Sequence, residues 1–209
     1  MASPRSSVAS PEIGFQFKDL FVRLHATLRR FLLISCFMKR SFPFLFCLLI
    51  FIQWTSAQSQ FETITDSDSS KIFKGIISRE LLEKESSYTW YKTNQQNYHP
   101  NAAATEALRK TASTIQLLVF MGTWCEDSHF IIPKLFTLLD ASGFPTDRVS
   151  LIGVDRSKKT LSHLTEAFAI TNVPTIIVLK NGKELGRVVE YGKSGTFDKD
   201  LAEIVNLAL

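Results

Sequence analysis

The run Leu117-Leu118-Val119-Phe120-Met121 is apolar throughout and passes through Gly122-Thr123-Trp124 straight into a cysteine, Cys125. From Ser128 to Leu139 the apolar residues then recur at helical spacing. An apolar run of this length reads as a strand buried on both faces, and the segment after it as a helix with one buried stripe. Cys125 therefore sits where a central strand turns into a helix. Backbone N–H groups are unpaired there and the helix dipole presents its positive end, and both favour thiolate over thiol. Cys125 is the leading candidate for a functional residue. Ser128 occupies the second position of what would be a Cys-x-x-Cys pair, so the attacking thiol has no resolving thiol beside it.

The rest of the chain supplies layers for such a unit. Lys71 to Ile77 is a short β-prone run that reads as an edge strand. Ser78 can cap a helix from Arg79, with Glu80 in its first turn, running through Leu81, Leu82, Tyr88, Trp90 and Tyr91 to near His99-Pro100. A second helix is expected over about Asn101 to Ala112. After the central strand, Ile115 to Met121, and the helix from Ser128 to Ala141 come a strand at Val149 to Val154 and a helix at Leu161 to Phe168. Thr175 to Leu179 and Glu184 to Tyr191 flank Lys180-Asn181-Gly182-Lys183, and Asn-Gly between β-prone runs is a strong hairpin signal. A helix from Thr196 to Ala208 follows. The order implies an α/β fold, a mixed central sheet flanked by helices, with an enlarged helical N-terminal portion.

Charge divides the chain unevenly. The formal net charge is +4, but residues 1–57 hold seven Lys/Arg against two acids, leaving 17 bases against 18 acids in residues 58–209. The part expected to fold is near neutral, which gives a nucleic-acid partner no electrostatic support. The basic end reads as an export signal over residues 38–57. Met38-Lys39-Arg40 is its basic start, Phe42 to Trp54 its apolar core, and Thr55-Ser56-Ala57 its small-residue cleavage site. The core is shorter than the roughly 20 residues that span a bilayer. A retained anchor is the alternative. Residues 1–37 read as an over-extended upstream start, residues 58–70 as a polar, disordered leader, and residues 71–209 as the folded domain. The expected location is periplasmic or secreted. Cleavage would remove Cys36 and Cys47 and leave Cys125 alone in an oxidising compartment, with no internal disulfide available.

Trp124-Cys125-x-x, then Val173-Pro174-Thr175 about fifty residues on, then the hairpin and last helix, make the segment from Ile115 to Leu207 resemble the thioredoxin family. The resemblance implies the thioredoxin fold. It also implies a cis peptide bond before Pro174 and a groove in which Trp124, Val173, Pro174 and Thr175 meet an extended substrate beside Cys125. Two departures stand out. Ser128 replaces the family's second cysteine, and Val119 stands where redox members often carry a buried acid. With Ser128, Cys125 can still attack a disulfide, but release needs an external thiol or a second cysteine of the substrate.

Around the sulfur, Ser128 is expected to donate a hydrogen bond to the thiolate and Trp124 to cover it. Glu126 and Asp127 would oppose a further negative charge, and His129 would favour it if protonated. Each has a plainer alternative: helix-stabilising acids in a first turn, a half-exposed helix histidine, a packing tryptophan. The Tyr88-Thr89-Trp90-Tyr91 cluster reads as packing. His25, His99 and His163 lack metal-ligand spacing, so neither a metal nor another cofactor is expected. The partner expected is a disulfide- or thiol-bearing protein or a small thiol. The leading reading is thus a monothiol, thioredoxin-like exchanger, an oxidoreductase of the exchange or isomerase type without a resolving cysteine. A non-catalytic peptide-binding module and a redox sensor are the alternatives.

Overall fold

The computed structural model describes residues 60–209, Asp68 excepted. The expected upstream start, residues 1–37, and the signal segment 38–57, with Cys36 and Cys47, lie outside the described residues.

The expected central strand is β3, Ile115–Met121, buried at every position but Gln116. Alternation along it feeds two cores. Ile115, Leu117, Val119 and Met121 enter one, Leu118 and Phe120 the other. Its neighbours are β4, Val149–Gly153, which runs parallel, and β5, Thr175–Lys180, which runs antiparallel. With β1, Phe61–Thr65, β2, Lys71–Ile77, and β6, Lys183–Val189, they form a six-stranded mixed sheet in the order β1-β2-β4-β3-β5-β6.

Most helices lie on one face. These are α1, Arg79–Lys84; α2, Thr89–Gln95; α3, Ala102–Thr111; α4, Glu126–Ser142; and α6, Phe197–Asn206. Together with the sheet they bury Leu82, Tyr91, Leu108, Leu135, Leu139 and Leu201 in the larger core. Each such side chain contributes about 1.5–3 kcal/mol relative to exposure. The opposite face carries Phe120, Ile152, Val173 and Ile177. It is covered by the segment between β4 and β5, which includes the short α5, Leu164–Ala167.

Four expectations need correction. The polar leader 58–70 contains strand β1, which pairs with β2 from Phe61↔Gly75 to Thr65↔Lys71. The strand reads as disordered because its side chains are mostly exposed; Phe61 alone turns inward, edge-to-face on Phe73 with centroids 5.8 Å apart. The Ser/Asp richness that follows is turn chemistry. The Asp66 N–H donates to Ser70 O at 2.8 Å, and the Asp66 carboxylate accepts the Ser67 N–H at 2.8 Å. Consequently β2 is an inner strand, paired with β1 on one side and β4 on the other.

The helix expected from Arg79 to His99 is two helices. Ser78 does cap α1, accepting from Leu81 N–H at 3.3 Å. At Glu85 the backbone turns extended, and the Glu85 carboxylate takes both the N–H and the hydroxyl of Ser87, at 3.3 and 2.9 Å. Those local bonds compete with the helical ladder. The helix expected from Leu161 to Phe168 is a 3-10 turn, Leu161–His163, followed by α5. Ser162 and His163 are left-handed, with φ of 57° and 54°. Leu164 and Phe168 still pack on the second core, so the apolar spacing is met without a continuous helix.

Candidate functional site

The turn Gly122–Cys125 is tied down from three directions. Inside the turn, Cys125 N–H donates to Gly122 O at 3.0 Å. From α4, the Ser128 hydroxyl oxygen accepts the Gly122 N–H at 3.2 Å, and His129 Nε2 lies 2.7 Å from Thr123 O. From β2, Phe73 N–H donates to Thr123 Oγ1 at 3.3 Å, and the same hydroxyl donates to Lys71 O at 3.3 Å. Thr123 is buried. The β2–β4 ladder covers only Gly75 to Ile77, so Thr123 takes the place of a strand partner where that ladder stops.

Cys125 is the N-cap residue of α4, with extended backbone angles and no side-chain capping bond. Its carbonyl accepts the His129 N–H at 3.0 Å, opening the helix two residues earlier than the apolar spacing suggests. The side chain is partly exposed, and the S–H donates to Val173 O at 3.2 Å. The peptide bond from Val173 to Pro174 is cis. Pro174 O accepts from Glu190 N–H at 2.7 Å, and Thr175 Oγ1 donates to Asn172 O at 2.7 Å. The proline loop is thereby fixed against the sulfur.

Several expected site residues take other roles. Ser128 is fully buried and its hydroxyl oxygen accepts the Gly122 N–H, so it supports the turn. Val173, Pro174 and Thr175 have buried side chains, so what they can offer an extended substrate is backbone. Trp124 turns its indole onto the end of β4. Its Nε1–H donates to Val154 O at 3.0 Å, its ring lies against Gly122 with no space for a Cβ, and the Arg156 guanidinium stands 5.4 Å over it. These contacts pack the ring on the second core, beside Cys125.

His129 is half-buried, and burial holds its protonation below the ordinary histidine range despite the Thr123 carbonyl and Glu126. It is neutral near pH 7 and supplies no positive charge to the thiol. Trp90 stacks on its ring, with centroids 4.2 Å apart and planes 11° apart. Glu126 and Asp127 occupy the first turn of α4, as expected of acids there.

Thr123, Tyr191 and Phe130 carry no signal in the sequence that assigns them to the site. Tyr191 and Phe130 are exposed rings 5.7 Å apart. Burial raises the protonation range of the Tyr191 phenol, and hydrogen bonding to Asp127 raises it further, with smaller contributions from Cys125 and Glu126. That places Tyr191 at the rim of the cysteine site. Its loop is remote from Cys125 in the chain, so no sequence signal links them. Among the described residues, no group of His, Cys, Asp or Glu could hold a metal ion, and no helix is long and apolar enough to cross a membrane.

The thioredoxin family model matches residues 94–203. A thioredoxin of Echinococcus granulosus is 33% identical over 92 residues, covering 43% of this chain and 80% of that protein. A thioredoxin of Chlamydia pneumoniae is 30% identical over 96 residues, 46% of this chain and 83% of that protein. Among solved structures, the thioredoxin of Fasciola hepatica overlays with a TM-score of 0.34 at 20% identity, covering 49% of this chain and 88% of that chain. That overlay is too loose to add to the sequence matches. The family match begins inside α2, ends inside α6 and takes in both the cysteine turn and the cis-proline loop: the chain belongs to the thioredoxin family.

Proposed function

We propose that this protein is an exported, monothiol thioredoxin-like exchanger that acts through Cys125 on a disulfide- or thiol-bearing protein or a small thiol. The family supports thiol–disulfide oxidoreductase chemistry in general. The observation that carries the finer reading is the placement of Cys125, the one free cysteine among the described residues, at the N-cap of α4 and against Val173 O.

In the exchange step the Cys125 proton passes to solvent and the contact with Val173 O is given up. The thiolate then attacks one sulfur of a partner disulfide. A Cys125–S–S–partner bond forms, the partner's own S–S bond breaks, and the other sulfur leaves as thiolate. Ser128 has no sulfur with which to attack this adduct. An external thiol, or a second thiol of the partner, attacks the partner sulfur, forms a new disulfide and returns Cys125 as thiolate. No net electrons pass to this domain; disulfides are exchanged or rearranged. Export through residues 38–57 would place the reaction in the periplasm or outside the cell, where disulfides persist.

The test is an insulin-reduction assay run beside a glutathione mixed-disulfide assay on wild type and Ser128→Cys. Wild type is expected to fail the first and pass the second, and Ser128→Cys to gain measurable reductase turnover. A wild type that forms no glutathione adduct, but captures an extended peptide equally well with Cys125→Ala, would replace this reading with a non-catalytic binding module. Intact mass of protein from its native host tests export: the chain is expected to begin at Gln58.

A further inference from the structure

The enlarged N-terminal portion raises the question of what it does for the cysteine turn. Its helix α2 carries Trp90, which lies flat on His129, and His129 reaches from α4 to the carbonyl of Thr123, two residues before Cys125. A carbonyl accepts only, so at 2.7 Å His129 Nε2 carries the hydrogen and donates it. Around this bond the structure is layered. Trp90 is itself packed on Tyr88 and Tyr91, with centroids 5.2 and 5.7 Å away, and Tyr88 packs edge-to-face on Phe73 of β2 at 5.6 Å. Phe73 N–H in turn reaches Thr123 Oγ1. The rings therefore close a circuit from β2 through α2 to α4 and back to the turn, with Thr123 as its meeting point.

We infer that His129 is a positioning residue for Cys125: as a hydrogen-bond donor clamped by Trp90, it fixes the Thr123 carbonyl and so the direction in which the turn presents the sulfur to Val173. This rests on Cys125 being the exchanging thiol. Charge is not what His129 provides. The charged group facing it is Glu126, from its own helix; Trp90 faces it from α2, and Thr123 from the turn. The role it can fill is a directed hydrogen bond. Such a bond matters to exchange because attack on a disulfide is in-line and tolerates little misplacement of the sulfur.

The experiment compares wild type, His129→Phe, His129→Gln and Trp90→Leu for the second-order rate of adduct formation with glutathione disulfide, with thermal midpoints recorded alongside. Phenylalanine keeps the stacked ring and loses the donor; the glutamine amide nitrogen is as many bonds from Cα as Nε2 and can restore it. His129→Phe is expected to slow adduct formation roughly tenfold or more, His129→Gln to recover to within about threefold of wild type, and Trp90→Leu to fall between them. A purely structural role predicts rates that follow the thermal midpoints and no selective rescue by glutamine, and that result overturns the inference. Equal rates in wild type, His129→Phe and His129→Gln overturn it while leaving Cys125 as the exchanging thiol. A wild type that forms no adduct overturns both. Should His129→Phe fail to fold, the rates of Trp90→Leu and His129→Gln decide: both at wild-type level overturn the inference, and a slowed Trp90→Leu beside a near-normal His129→Gln upholds it.

Discussion

Thr123→Val is the substitution whose cost the structure sets most directly. Valine has nearly the shape of threonine, so packing at this buried position is little changed. The hydroxyl serves two backbone groups of β2, accepting from Phe73 N–H and donating to Lys71 O, each at 3.3 Å. Lys71 O keeps a second donor, the Tyr88 hydroxyl, and loses little. Phe73 N–H points away from β1 and lies beyond the end of the β2–β4 ladder, so it is left bare in a buried setting. A stranded donor of this kind costs about 1–3 kcal/mol. The length of the bond puts the expected loss in the lower half of that range, about 1–2 kcal/mol. At about 2–4 °C per kcal/mol for a domain of this size, the thermal midpoint falls by about 2–8 °C. Thr123→Ser keeps the hydroxyl and removes one methyl, for a loss of about 0.8 kcal/mol or less. Urea denaturation of the three proteins at neutral pH gives the ranking. A valine variant as stable as the serine variant would refute the assignment of Thr123 as a surrogate strand partner.

Other perturbations give equally definite outcomes. Burial keeps His129 less basic in the folded protein than in the unfolded chain, so on acidification the unfolded chain takes up the proton first. The stabilisation is complete above the unfolded value of about 6.5 and is lost as pH falls from there toward the folded value. The midpoint difference between pH 7.5 and pH 5.5 is therefore expected to be smaller in His129→Phe than in wild type, and equal differences would contradict this. Gly182 sits in the β5–β6 hairpin with φ of 74° and open space where a Cβ would go. Gly182→Ala is expected to cost about 1–2 kcal/mol from backbone conformation alone and to leave the rate of glutathione adduct formation unchanged. A neutral effect in urea denaturation would show that the turn relaxes.

What the sequence disclosed follows from how local the cause is. β3 is legible because burial on both faces forces an unbroken apolar run, and its bounds are those of the structure. The cap at Ser78 and the Asn181-Gly182 turn are legible because each is decided within a few residues. β1 is hidden because an edge strand with exposed side chains shares its composition with a linker. The break after α1 depends on Glu85 folding back on Ser87, a choice that apolar spacing does not register. The cysteine and the proline loop are legible at the candidate site through their resemblance to a known pattern. The partners that hold them are not. Trp90 against His129, Thr123 against Phe73 and Tyr191 beside Asp127 join parts of the chain that only the sheet order brings together. The burial of Ser128 and Thr175 is hidden for the same reason. A polar residue beside a reactive cysteine looks like chemistry until its hydrogen bonds are seen to be spent on the backbone.

The central claim is that the Cys125 sulfur of the folded protein exchanges with a disulfide. The direct measurement is peptide mapping by mass spectrometry after incubation with glutathione disulfide, under native conditions and in urea, with Cys125→Ala as control. The expected result is a glutathionyl group on Cys125 in the native sample, lost on addition of an external thiol and absent from the control. Modification of Cys125 only in urea would contradict it.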